Sequence, residues 1–206
     1  MRFFQSRLIL FGMGLALGVL VTLGIRLATY QPAIVHYHAN FSLYINGQRE
    51  LFKGPQYYEE DTAMCTTGAA SDVPLSRAHM HDNVNTVVHV EDQAVTWGNF
   101  FANLGWILGP NFIASPSGLV YSESDTAKLH VLLNNQDYTD LGGIENRVIK
   151  DKDKLLLSYG NPDQVALQQE YAAIPNTATH YDTTPDPKTC SGGVAPTLQD
   201  RLTHMF

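Results

Sequence analysis

The chain is poor in charge and in cysteine. Charged residues make up 16% of its 206 residues and the net charge is -7, with no cluster of lysine and arginine, so nucleic acid is excluded as a natural partner. There is no C-x-x-C, no H-E-x-x-H, no G-x-S-x-G and no phosphate-binding loop. These absences remove the familiar redox, zinc-protease, hydrolase and nucleotide-binding chemistries. The Ser, His and Asp residues are too many and too unordered in sequence to define a triad.

Charge is missing altogether from Leu8 to Ile25, LILFGMGLALGVLVTLGI. As a helix this run spans about 27 Å at 1.5 Å per residue, close to the roughly 30 Å hydrocarbon core of a bilayer. Arg2 and Arg7 precede it and Arg26 follows, a bias that puts the N-terminus on the cytoplasmic side. The alternative is a cleaved signal peptide. Against it, the apolar run is long for one, Arg26 closes it abruptly, and Leu27-Ala28-Thr29 gives no small-x-small cleavage site. The expectation is a single-pass anchor in the cell membrane with the C-terminal domain extracytoplasmic. Gly14 and Gly18 form a small-xxx-small pair able to seat a second copy of the helix, giving a homo-dimer, although glycine is common in membrane helices without that role. No protein partner can be named.

In that compartment Cys65 and Cys190, the only cysteines, read as a disulfide tying the C-terminal tail to the first half of the domain. Two buried thiols, or a soft metal ligand at Cys65, are the alternatives.

The rest of the chain reads as mainly β. His36 to Ile45 alternates, and Asn46-Gly47 is a strong hairpin signal with Gln48 to Phe52 as the return strand. Residues 53–77 read as a long loop and 109–118 as another. Strands are expected at 77–81, 86–91, 119–122, 128–133, after Asn134-Asn135, and at 155–159. FSLYINGQ near residue 41 is echoed by LHVLLNNQ near residue 129. Thr96 is placed to cap a short helix from Trp97 to Leu104, stopped by Gly105. Asn161-Pro162 should open an amphipathic helix over 163–173, and 198–206 a last short one. The expected architecture is a membrane anchor (1–30), a β-rich domain of sandwich or barrel type with two or three short helices (31–160), and a helix with a disulfide-pinned tail (161–206).

Five of the eight histidines fall between residues 36 and 91, and they fall in dyads: His36-Tyr37-His38, His79-Met80-His81 and His89-Val90-Glu91. Positions two apart on a strand share a face, so each dyad presents two ligand groups side by side. The turn formers Asp82-Asn83 and Asn85 should fold the second and third dyads onto neighbouring strands. Neutral imidazoles with a carboxylate suit zinc or copper. The expected metal ligands are therefore His36, His38, His79, His81, His89 and Glu91, with Asp82 a supporting partner that fixes an imidazole tautomer. His130 reads as an ordinary strand histidine, His180 and His204 as exposed, and Met80 as a core residue pointing away from its neighbours.

The stretch AHMHDNVNTVVHVEDQAVTWGNFFANLGW resembles a signature of uncharacterised membrane-anchored extracytoplasmic proteins of bacteria and archaea. The matching residues are His79, His81, Asp82, His89, Glu91, Thr96, Gly98, Phe100, Phe101 and Gly105, and HYHANFSLYINGQ is similar to the first strand of the same proteins. The resemblance, over roughly residues 36–160, implies a shared β-rich fold and a shared site; it brings no established activity. Three functions follow from the residues: a metal-binding module for zinc or copper, a metalloenzyme using an open position at the same centre with Asp82 or Glu91 as base, or a cell-surface structural domain without metal.

Overall fold

The computed structural model describes residues 2–30, 35–54, 57–58, 77–80, 83–138, 141–183 and 198–203. The chain divides into two compact units, Ile34–Gly192 and a second one that joins Met1–Ala33 to Gly193–Phe206.

In the second unit the apolar run forms helix α1, Arg2–Thr29. Its span Leu10–Thr29 has a mean hydropathy of 2.0, long and apolar enough to cross a membrane, and a signal sequence has the same character. Most of its apolar side chains between Leu10 and Ile25 are exposed. In a short C-terminal helix, Leu198–Thr203, Arg201 donates to the carbonyls of Leu27 and Ala28 at 2.8 and 3.0 Å. A cation at the last turn of α1 satisfies carbonyls that the helix cannot pair internally.

The first unit is mainly β, with two sheets. Strand β1 (Tyr37–Ile45) is central. Asn46 and Gly47 both take positive φ, 50° and 75°, and turn the chain into the two-residue strand β2 (Gln48–Arg49), shorter than the return strand expected to Phe52. Asn134 and Asn135 repeat the device at φ 54° and 64°, between β8 (Lys128–Leu133) and β9 (Gln136–Tyr138). The echo between these two segments is thus a shared hairpin chemistry.

With β3 (Ala78–His79), β4 (Val87–Val90) and β10 (Lys154–Gly160), the larger sheet runs β3-β4-β1-β10-β8-β9, and β2 adds to β1. All its pairs are antiparallel except β1 with β10, which align in parallel from Asn40–Lys154 to Ile45–Tyr159. The smaller antiparallel sheet holds β5 (Ile107–Leu108), β6 (Phe112–Ala114) and β7 (Val120–Ser122). Part of the stretch expected as loop at 109–118 is therefore strand β6.

Helix α2, Trp97–Asn103, begins as its sequence dictates: Thr96 Oγ1 accepts from the Asn99 amide, and the Asn99 side chain accepts from the Thr96 amide. Gly105 follows it at φ 74°. Gly98 is required by close packing, since a Cβ there would stand 2.7 Å from the carbonyl oxygen of Glu145, in helix α3 (Leu141–Glu145).

Alternate residues of β1 enter two different environments. Ala39, Phe41 and Leu43 join the main core with Phe100, Phe101, Ile113, Leu155 and Leu157. Phe41 meets Phe100 edge to face at 4.8 Å between centroids. On the opposite face lie Tyr44, Leu132 and Leu156, packed against Leu167 and Ile174. Helix α4 (Gln164–Ala172) supplies Leu167, and its N-cap is Asp163, two residues beyond the expected Asn161. Helix α5 (Ala178–Thr183) covers the N-terminal half of the same face. It is held by Asn40, whose side-chain oxygen accepts from the Ala178 amide at 3.1 Å and whose amide donates to Thr177 Oγ1 at 3.1 Å. The first part of the tail thus belongs to the sheet's packing. Cys65 and Cys190 both lie outside the described residues, and there is no cysteine pair among those described.

Candidate metal centre

The pairing register brings the histidines together. His79 of β3 stands opposite His89 of β4, and His89 opposite His38 of β1. Residues opposite one another in a sheet share a face, so three imidazoles from three strands form a row. His36, two residues before His38, joins the same side. Met80, on the alternate phase, is fully buried in the main core, as its position predicts.

His36, His38 and His89 each offer one ring nitrogen, and these nitrogens all lie within 4.8 Å of one another. The cluster has the makings of a metal site. In a tetrahedral centre with bonds of 2.0–2.1 Å the donor atoms stand about 3.3 Å apart. The longest edge would have to close by about 1.5 Å, within reach of side-chain rotation. His38 and His89 are already in contact, Nε2 to Nδ1 at 2.8 Å, and would part slightly. Both rings are 1% exposed. His79, 4% exposed, stacks on His89 with centroids 5.8 Å apart and planes 2° from parallel. Glu91, half-buried, follows His89 by two residues.

Three residues that the sequence reading passed over surround the trio. Asp182 of α5 accepts from His38 Nδ1 at 2.7 Å. A carboxylate can only accept, so a neutral His38 carries its proton on Nδ1 and offers its Nε2 lone pair to the cluster. Lys152 Nζ reaches the other carboxylate oxygen of Asp182 at 3.1 Å. Tyr181 lays its ring 5.7 Å from His38 and 5.5 Å from His89 between centroids.

Burial pushes the Asp182 carboxyl up, but the hydrogen bonds from His38 and Lys152 outweigh it and hold it below the ordinary carboxylate range. Lys152 is pushed up by its contacts with Asp151 and Asp182. Burial, reinforced by Asp153 and Asp151, pushes the Tyr37 phenol up, and that phenol donates to the Ile149 carbonyl at 2.8 Å.

Of the expected ligands, the structure brings His36, His38 and His89 into one cluster, with His79 stacked beside it. His81 and Asp82 lie outside the described residues. His130 is a half-buried strand residue and His180 is exposed, both as expected; His204 is outside the described residues. Asp182 had one weak signal: it ends a His180-Tyr181-Asp182 run in a tail otherwise poor in aromatic residues.

No protein-family model, curated protein or solved structure matches the chain.

Proposed function

We propose that this is a single-pass, membrane-anchored extracytoplasmic protein that holds a divalent transition metal, zinc or copper, through His36, His38 and His89. The observation that carries the reading is the convergence of three imidazole nitrogens within 4.8 Å, two of the rings almost wholly buried. Buried polar side chains persist when something specific satisfies them, and nitrogen-only donor sets suit zinc and copper. The trio supplies three donors. The fourth position falls to His79, to Glu91 or to water. The likeness to anchored extracytoplasmic proteins supports the same reading, as does the uncharged span of α1.

The test is calorimetric titration of the metal-free full chain, in detergent, with zinc and with copper. One ion per chain is expected for the native protein and for His130→Ala, and none of comparable affinity for His38→Ala or His89→Ala. Equal binding by all four proteins would remove these histidines from the site. Orientation is read separately: a phosphatase fused after Phe206 that is active only outside the cytoplasm should be active, and the purified protein should retain its N-terminus.

A further inference from the structure

We infer that Asp182 is the positioning residue of this centre, and that through it a bound metal locks α5 onto the sheet. The inference rests on the metal reading and deepens it, because it assigns the partner that prepares the site and the segment that responds to it.

The sheet supplies the imidazoles, and within it His38 Nε2 meets His89 Nδ1 at 2.8 Å, a contact that leaves open which ring holds the shared proton. The opposite nitrogen of the His38 ring is held from α5. Asp182 Oδ1 receives the Nδ1 proton at 2.7 Å, and Oδ2 is held by Lys152 at 3.1 Å, so the carboxylate is fixed from two directions. Its side chain is only 18% exposed, and the His38 side chain 1%. Lys152 is itself tied to the same strand, since its amide donates to the His38 carbonyl at 2.8 Å. A carboxylate behind a ligating imidazole orients the ring and raises its basicity; removing such a partner weakens metal binding by roughly ten- to a hundredfold.

Linkage runs in both directions. If Asp182 strengthens the metal's hold on His38, the metal strengthens Asp182's hold on His38, and with it the docking of α5. The helix has only six residues, too few to persist by itself. Its attachments at this face include the Asn40 hydrogen bonds to Ala178 and to the preceding Thr177, the Asp182 pair and the Tyr181 ring against His38 and His89. Two of these attachments reach the rings that would hold the ion.

The experiment uses the full chain in detergent, labelled with 15N-histidine, and compares the native protein with Asp182→Asn, Asp182→Ala and Lys152→Ala. Before any metal is added, His38 should carry its proton on Nδ1 in the native protein and lose that preference in Asp182→Ala. With zinc as the probe, affinity should fall by roughly ten- to a hundredfold in Asp182→Ala and less in Asp182→Asn. Amide exchange over 180–183 should slow by about tenfold or more on zinc loading in the native protein only, a coupling within the usual range. Native tautomer and native affinity in Asp182→Ala would overturn the inference while leaving the metal reading intact. A native protein that shows the Nδ1 proton and binds neither zinc nor copper would overturn both. A native coordination spectrum with a lowered melting temperature would mark Asp182 as merely structural and overturn it as well.

Discussion

The two faces of strand β1 are both buried, and they are buried on different terms. On one face Ala39, Phe41 and Leu43 meet aromatic and aliphatic side chains, and burial of apolar area is the whole explanation. On the other, His38, Asn40 and Ser42 are at most 4% exposed although each is polar. The first face tolerates any hydrophobic set of the right volume. On the second, two of the three have named partners, Asp182 and His89 for His38 and Thr177 and Ala178 for Asn40, while the Ser42 hydroxyl has no hydrogen-bond partner among the described residues. Apolar packing covers only part of this face, at Tyr44 with Leu132 and Leu156, and the clustered imidazoles that could hold a metal ion lie on the rest of it.

Substitutions should separate the two faces. Phe41→Ala should cost about 3–5 kcal/mol of stability, read by denaturant unfolding, and should leave zinc affinity of the folded fraction unchanged. A loss of affinity there would mean that the faces are coupled. His89→Ala should do the opposite, losing metal affinity by more than the roughly hundredfold typical of removing a supporting partner, with a much smaller effect on the unfolding midpoint of the metal-free chain. Asn40→Ala should cost about 1–3 kcal/mol, because it leaves the Ala178 amide and the Thr86 carbonyl without their side-chain partner. It should also speed amide exchange in α5 while sparing α2.

Acid should sharpen the same contrast. The Asp182 carboxyl lies lower in the folded protein than in the unfolded chain, so it favours folding above the ordinary carboxylate range and that contribution is lost as the pH falls through its folded value. The stability gap between the native protein and Asp182→Asn should therefore be full near pH 6 and shrink as the pH falls below the ordinary aspartate value of about 3.9. A gap that widened in acid would reverse the assignment. The smallest effect expected is at His130→Ala, on a half-buried strand position outside the cluster, where zinc affinity should stay at the native value.

What could be read from the sequence was what local chemistry controls. Asn46-Gly47 and Asn134-Asn135 announce hairpins because few residues accept positive φ twice in succession. Thr96 with Asn99 announces a helix start. The histidine spacing of two announces a shared strand face, and the turn formers after Asp82 announce that His79 and His89 are neighbours. The parallel partnership of β1 with β10 had no such signal, since it joins segments more than a hundred residues apart that each look like any apolar strand. Asp182 was hidden for the same reason: it meets His38 across 144 residues of chain. Nothing in a six-residue polar helix says what will lie beneath it. The expectation at Asn161-Pro162 placed the helix start two residues early, because Asn and Asp cap about equally well and it is Asp163 that accepts from the Ala166 amide at 2.8 Å.

X-ray absorption on the zinc-loaded full chain tests the centre most directly, because it reports the atoms bound to the ion. The account predicts one retained zinc with about three imidazole nitrogens at 2.0–2.1 Å, reduced to two in His89→Ala. A chain that keeps less than about 0.1 zinc after reconstitution, or a shell made of oxygen alone, would contradict it.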